Sequence, residues 1–188
     1  MLSRIVVCCC NMLKKLIESL THFPEKRGYW LFYCAIGVVL LATALIFQHV
    51  LEELPCLVCI QIRLWITLLI LLSIAGMLVR ESRWVNAVNV SVLLVAVGMV
   101  ERSYLLLGTE RGFVFADCGF DLGLPAWLAI EENLPWLYRV ETSCGYTPEL
   151  LFGITMAEAL MALSVVFLIV SFCVTILAFW QMFKSNKT

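Results

Sequence analysis

Four cysteines, in two differently spaced pairs, are the residues most able to do chemistry in this chain. Cys56 and Cys59 are separated by two residues in Leu54-Pro55-Cys56-Leu57-Val58-Cys59-Ile60-Gln61-Ile62-Arg63, directly ahead of an apolar run to Val79. Cys118 and Cys144 stand far apart in a long, acidic, tryptophan-bearing stretch. A CxxC pair can close a small disulfide ring. A helix beginning at such a pair favours the thiolate, because its unsatisfied N–H groups and its dipole attract negative charge. Pro55 suits a helix start, where its missing N–H costs nothing. Arg63, one turn beyond Cys59 at the edge of an apolar run, needs a task or a polar partner. If each pair forms a disulfide, a thiolate of one can attack the other, and two electrons pass through a mixed disulfide. A lipid-soluble quinone is a natural final acceptor, with Arg63 polarising a carbonyl oxygen or stabilising the adjacent thiolate. Zinc is the rival use of four cysteines, and two structural disulfides without turnover are the other.

The elements that must position these residues are apolar. The 188 residues are 62% hydrophobic and 14% charged, the composition of a polytopic membrane protein and not of a soluble domain. A net charge of −1 leaves no basic footprint for nucleic acid. Four spans are expected at about 29–50, 56–79, 84–107 and 152–179, each long enough for the ~30 Å hydrocarbon core. The loops between them are 51–55, the basic turn around Arg80 and Arg83, and 108–151. The expected fold is an all-α four-transmembrane-helix bundle occupying 29–182, with a cytoplasmic amphipathic segment 1–28 and a tail 183–188. Leu13, Leu16, Ile17 and Leu20 give that first segment its helical apolar spacing. The short apolar run before Lys14 and Lys15 lacks the cleavage site of a signal peptide.

Nine of the thirteen lysines and arginines fall in the N-terminal segment, the Arg80–Arg83 turn and the tail. The positive-inside rule therefore places both termini in the cytoplasm, and all four cysteines on the outer side, which in a bacterium is the disulfide-permissive periplasm. Cys8, Cys9 and Cys10 read as reduced cytosolic thiols, with acylation as the alternative, and Cys34 and Cys173 as small apolar residues within spans. Leu124 to Ile130 and Leu134 to Tyr138 are apolar, aromatic and too short to span. They read as short interfacial helices that hold the long loop against the membrane. Glu101 and Arg102 read as a self-neutralising or snorkelling pair, and Glu158 as an edge residue facing loop or water.

With these residues in view, the chain resembles the DsbB family, bacterial quinone-dependent thiol oxidases. Phe47-Gln48-His49-Val50, Pro55-Cys56-Leu57-Val58-Cys59-Ile60 and Arg63 resemble the family's first loop and second helix. Asp117-Cys118, then Pro125, Trp127-Leu128 and Cys144, resemble its second loop, and Phe152-Gly153 with Met156 the start of its last helix. The resemblance implies a protein dithiol:quinone oxidoreductase of the inner membrane that reoxidises a periplasmic DsbA-like partner and passes the electrons to ubiquinone or menaquinone. It implies that Cys118 forms the mixed disulfide with the partner and that Cys144 is its disulfide mate. Cys56 would exchange with the loop through a Cys56–Cys144 bond, and Cys59 would face the quinone with Arg63. Arg102 would be a second quinone-site arginine. The chain departs from the family in having Ile62 at an often polar position, no histidine near Arg102, and a longer N-terminal segment. In vitamin K epoxide reductase-like proteins the loop cysteines precede the CxxC; here they follow it. Transporters that carry electrons across a membrane place cysteines within spans, whereas these four fall on one side.

Overall fold

A computed structural model of the chain describes residues 27–79, 84–114, 130–142, 149–151 and 153–185. The N-terminal segment with Cys8, Cys9 and Cys10, the basic turn, both loop cysteines Cys118 and Cys144, and most of the first interfacial segment lie outside the described residues. Four long helices are apolar enough to cross a membrane: α1 (Arg27–His49), α2 (Leu57–Val79), α3 (Trp84–Glu110) and α6 (Met156–Ser185). Between α3 and α6 come two single-turn helices, α4 (Ile130–Asn133) and α5 (Pro135–Tyr138), and a two-stranded antiparallel hairpin of β1 (Glu149–Leu151) and β2 (Ile154–Thr155). At 23 residues α1 and α2 are each about 35 Å long, enough for the hydrocarbon core.

The last helix starts at Met156, later than the expected Phe152. The hairpin uses the intervening chain, turning at Gly153, whose φ of +76° a residue with a Cβ adopts only with strain. Thr155 and Glu158 then form a capping box. The Thr155 N–H donates to Glu158 Oε2 at 3.2 Å, and the Glu158 N–H donates to Thr155 Oγ1 at 3.4 Å. Glu158 also pairs with Arg111, just beyond α3, and the Thr155 hydroxyl donates to Glu110 Oε2. Glu158 is therefore part of a polar knot that ties the end of α3 to the start of α6, which is more than an edge residue does. α3 itself continues past the expected Leu107 to Glu110.

In the bundle α1 packs on α2, α2 on α3, and α3 on α6. Helices in lipid gain little from the hydrophobic effect against one another, so close backbone approach and interhelical hydrogen bonds carry the packing. Gly76 lies under the Trp30 indole and Gly98 under that of Trp65, where an added Cβ would overlap the ring. Tyr29 donates to Asn89 Oδ1 at 3.1 Å, linking α1 to α3, and Ser103 and Ser164 hydroxyls meet at 3.0 Å between α3 and α6. Leu31, Phe32, Val39, Leu71, Leu94, Val166 and Phe172 point outward, as lipid-facing side chains do. α1 and α6 meet through side chains, the Tyr33 ring against Phe167 and the Tyr33 hydroxyl 3.5 Å from Ser171. Towards the CxxC end, the seam between these two helices widens into a cleft.

Candidate functional site: a thiol pair at the mouth of an apolar cleft

The CxxC occupies the first turn of α2, and its local geometry follows from where the helix begins. The helix starts at Leu57, so Cys56 is the N-cap and Cys59 the third helical residue. The Cys56 carbonyl accepts the Ile60 N–H at 3.1 Å, and the Cys56 sulfur accepts the Cys59 N–H at 3.3 Å. A sulfur here stands in for the serine or aspartate oxygen that normally caps a helix. The two sulfurs are 2.6 Å apart. Pro55 precedes the cap instead of occupying the first helical position. Its carbonyl accepts the N–H groups of Glu141 at 3.0 Å and Thr142 at 3.3 Å, and Cys56 and Thr142 form a parallel β-bridge. The long loop is thus stitched by its backbone to the cysteine that begins α2.

Arg63 follows Cys59 by four residues, one turn along the same face of α2. Its side chain is only 6% exposed. The guanidinium Nη1 donates to Gln48 Oε1 at 2.5 Å and to the Leu137 carbonyl at 3.1 Å, and Nη2 donates to the Ala44 carbonyl at 3.2 Å. Three bonds from five N–H groups leave donor capacity for a further acceptor. The sulfurs of Cys59 and Cys56 and the Glu141 carboxylate all lie within electrostatic range of the guanidinium. Arg63 is therefore held in the bundle by α1 and α5, and does not snorkel outward.

α5 completes the seat for that arginine with the Leu137 carbonyl. Pro135 opens the turn, and Leu137 and Tyr138 pack with Leu57 and Ile60 of α2. The Tyr138 hydroxyl meets Thr67 Oγ1 at 2.7 Å, and His49 Nε2 meets the Trp136 carbonyl at 3.2 Å. Trp136 itself is 53% exposed, while Leu137 and Tyr138 after it are buried, as suits an interfacial turn.

Cys59 and Arg63 line one cleft of about 190 Å³ together with Gln48 and Glu53. Its walls are apolar: Leu40, Phe47 and Ala44 from α1, Ile62 and Ile66 from α2, and Met156, Leu160 and Leu163 from α6. Leu163 is also 52% exposed on the outer surface, so the cleft adjoins the lipid-facing side of the bundle. Apolar walls suit a flat ring, and a cation with spare N–H donors beside a thiol suits a carbonyl oxygen on that ring. The residues present fit a quinone.

Arg102 does not line this cleft. It lies on α3 and donates from Nη1 to Gln61 Oε1 of α2 at 3.0 Å, with Glu101 3.7 Å from its Nε. Glu101 pairs with it as the sequence suggested, and Gln61, which faces α3 one turn before Trp65, adds a hydrogen bond from α2. Sequence reasoning singled out neither Gln48 nor Glu53 individually, nor the Ala44 and Leu137 carbonyls. A signal for Gln48 was present, an amide in the last turn of an otherwise apolar helix; no side-chain pattern marks a carbonyl.

Comparison with known proteins agrees with this geometry. Residues 26–174 match the family model described as Disulfide bond formation protein DsbB. Disulfide bond formation protein B 2 of Pseudomonas aeruginosa is 30% identical over 157 residues, covering 82% of this chain and 89% of that protein. Disulfide bond formation protein B of Shewanella sp. (strain W3-18-1) is 27% identical over 156 residues, covering 82% and 89%. That of Photorhabdus laumondii is 24% identical over 168 residues, covering 88% and 99%. A four-helix membrane fold with its thiol pair at a helix start, matched to one family over most of its length, makes this chain a member of the DsbB family of disulfide bond formation proteins.

Proposed function

We propose that this protein is an inner-membrane thiol oxidase that reoxidises a periplasmic DsbA-like dithiol protein and delivers the electrons to a membrane quinone, ubiquinone or menaquinone. One observation carries the reading: Cys59 and Arg63 face a single apolar cleft while the strand leading to Cys144 is bonded alongside Cys56. From Thr142 to Cys144 is two residues, a reach of at most about 7 Å. That reach supports a Cys56–Cys144 exchange.

In this scheme the Cys118–Cys144 disulfide takes two electrons from the partner's dithiol, with Cys118 forming the mixed disulfide. Cys144 then attacks Cys56 of the Cys56–Cys59 disulfide and releases Cys59 as a thiolate; Cys118, freed when the partner's second thiol closes the partner's disulfide, attacks Cys144, re-forms the loop disulfide and leaves Cys56 as a thiol. The helix N-terminus and Arg63 stabilise negative charge on the pair. A bound quinone supplies the acceptor for two electrons and two protons. Arg63, immobilised by Gln48, Ala44 and Leu137, orients that acceptor and opposes the charge that develops on its oxygen. The apolar walls limit access of water to the thiolate.

The deciding experiment is anaerobic quinone reduction by the purified protein with a reduced DsbA-like protein as donor. Stoichiometric quinol and partner disulfide are expected, with none from Cys59→Ser. Partner oxidation that continues without quinone or oxygen would overturn the reading.

A further inference from the structure

Reducing a quinone requires protons as well as electrons, and an apolar cleft offers few groups to carry them. Among the described residues lining this one, the side chains able to take up and release a proton are the Cys59 thiol and the Glu53 carboxyl. Gln48 is an amide, and Arg63 does not give up its proton in proteins. Glu53 stands at the mouth, half-buried, on the connector between α1 and α2. The chain makes a specific turn to put it there. Glu52 has a φ of +56°, a left-handed conformation that a non-glycine residue adopts only with strain. The next N–H, that of Glu53, donates back to the Phe47 carbonyl at 3.1 Å. This bond folds the connector over the end of α1, and Phe47, Glu53, Leu54 and Pro55 then form one rim of the cleft. Glu52, the neighbour, is exposed and does not line it.

We propose that Glu53 is the proton donor for quinol formation, carrying a proton from water at the mouth to the acceptor oxygen in the cleft. The inference rests on the quinone reading above. Its balance is simple. Cys56 and Cys59 lose two electrons as the bond between them forms, Cys59 starting as thiolate and Cys56 as thiol. Glu53 gives one proton to an oxygen of the quinone, and the Cys56 thiol proton reaches the other through water. The product is a quinol, and the Glu53 carboxylate regains its proton from solvent. Arg63 and Glu53 divide the work, the fixed cation orienting the acceptor and the carboxyl, in contact with water, supplying the proton.

The test compares full-length wild type, Glu53→Gln, Glu53→Asp and Glu52→Gln in detergent, with a short-chain ubiquinone analogue and a reduced DsbA-like donor. Quinone affinity is read separately, from tryptophan fluorescence quenching of the oxidised protein without donor. Glu53→Gln is expected to slow quinol formation by about 100-fold, in the range of general acid catalysis, with quinone affinity unchanged. Formate or azide, small acids able to enter the mouth, are expected to restore part of the lost rate, and Glu53→Asp to retain part of it. Glu52→Gln is expected to match wild type. A Glu53→Gln variant with wild-type turnover overturns the proposal. So does one whose slow turnover comes with weakened quinone affinity and no rescue by small acids, since Glu53 would then be shaping the cleft. Wild type that neither binds nor reduces the quinone would overturn the quinone reading itself, and this inference with it.

Discussion

At the scale of single residues, the guanidinium of Arg63 is the most constrained group at the site. It is buried and bonded to Gln48, Ala44 and Leu137, two of these partners being main-chain carbonyls. Removing it leaves these acceptors without their donor and the cleft without its cation. Arg63→Ala is expected to raise the quinone KM or lower kcat at least ten-fold, about 1.4 kcal/mol or more. Exchange between the loop disulfide and the partner should survive in single-turnover assays. Lysine should rescue only in part, because a single ammonium cannot meet three divergent acceptors and an acceptor in the cleft. Gln48→Leu tests the support of that cation. The side chain is 9% exposed and carries the shortest of the three bonds. Its loss should weaken quinone turnover while leaving partner exchange intact, a separation readable by comparing steady-state and single-turnover rates.

At the scale of elements, two connections support the site, one at a wall of the cleft and one at Arg63. The start of α6 supplies Met156, Leu160 and Leu163 to one wall, and the Thr155–Glu158 capping box with Arg111 fixes where that helix begins. Thr155→Ala removes the cap and the bond to Glu110, and is expected to cost about 1 kcal/mol. Reduced thermal stability in detergent, measured by circular dichroism, checks it. At Arg63, α5 is held by Tyr138 on Thr67 and by the Trp136 carbonyl on His49. Tyr138→Phe keeps the packed ring and loses only the hydroxyl contact, so a small loss of stability is expected, with the cleft intact.

At the scale of the whole molecule, the proposed relay needs the loop thiols to reach the CxxC at one end of the bundle. The backbone bridge from Glu141 and Thr142 to Pro55 and Cys56 ties the end of the long loop to the start of α2 through main-chain groups. Thr142→Pro removes one of its two N–H donors and is expected to slow formation of a Cys56–Cys144 disulfide, read by mass spectrometry of quenched samples. Quinone affinity should be unaffected. A variant with undiminished Cys56–Cys144 exchange would show that the bridge does not set the approach. Orientation is testable at the same scale. An impermeant thiol reagent applied to reduced, intact spheroplasts is expected to modify Cys118 and Cys144 but not Cys8, Cys9 or Cys10. Labelling of the N-terminal cysteines from outside would reverse the topology and remove the periplasmic reading.

The apolar runs alone determined that this chain forms four membrane-crossing helices, because their length and the cost of an unsatisfied backbone in lipid leave no other structure. The CxxC spacing and the position of Arg63 were equally legible, being local along one helix face. What only the tertiary structure decided are relations between distant segments. It seats Arg63 on two main-chain carbonyls, from Ala44 and Leu137, which no residue pattern reveals. It turns Arg102 toward Gln61 and away from the cleft, a matter of how α2 and α3 are rotated against each other. It starts α6 at Met156, because the hairpin and the capping box compete with helical extension of an apolar stretch. It also brings Glu53 to the cleft through a left-handed residue at Glu52, a backbone state that glutamate's own preferences disfavour and that the surrounding contacts hold in place.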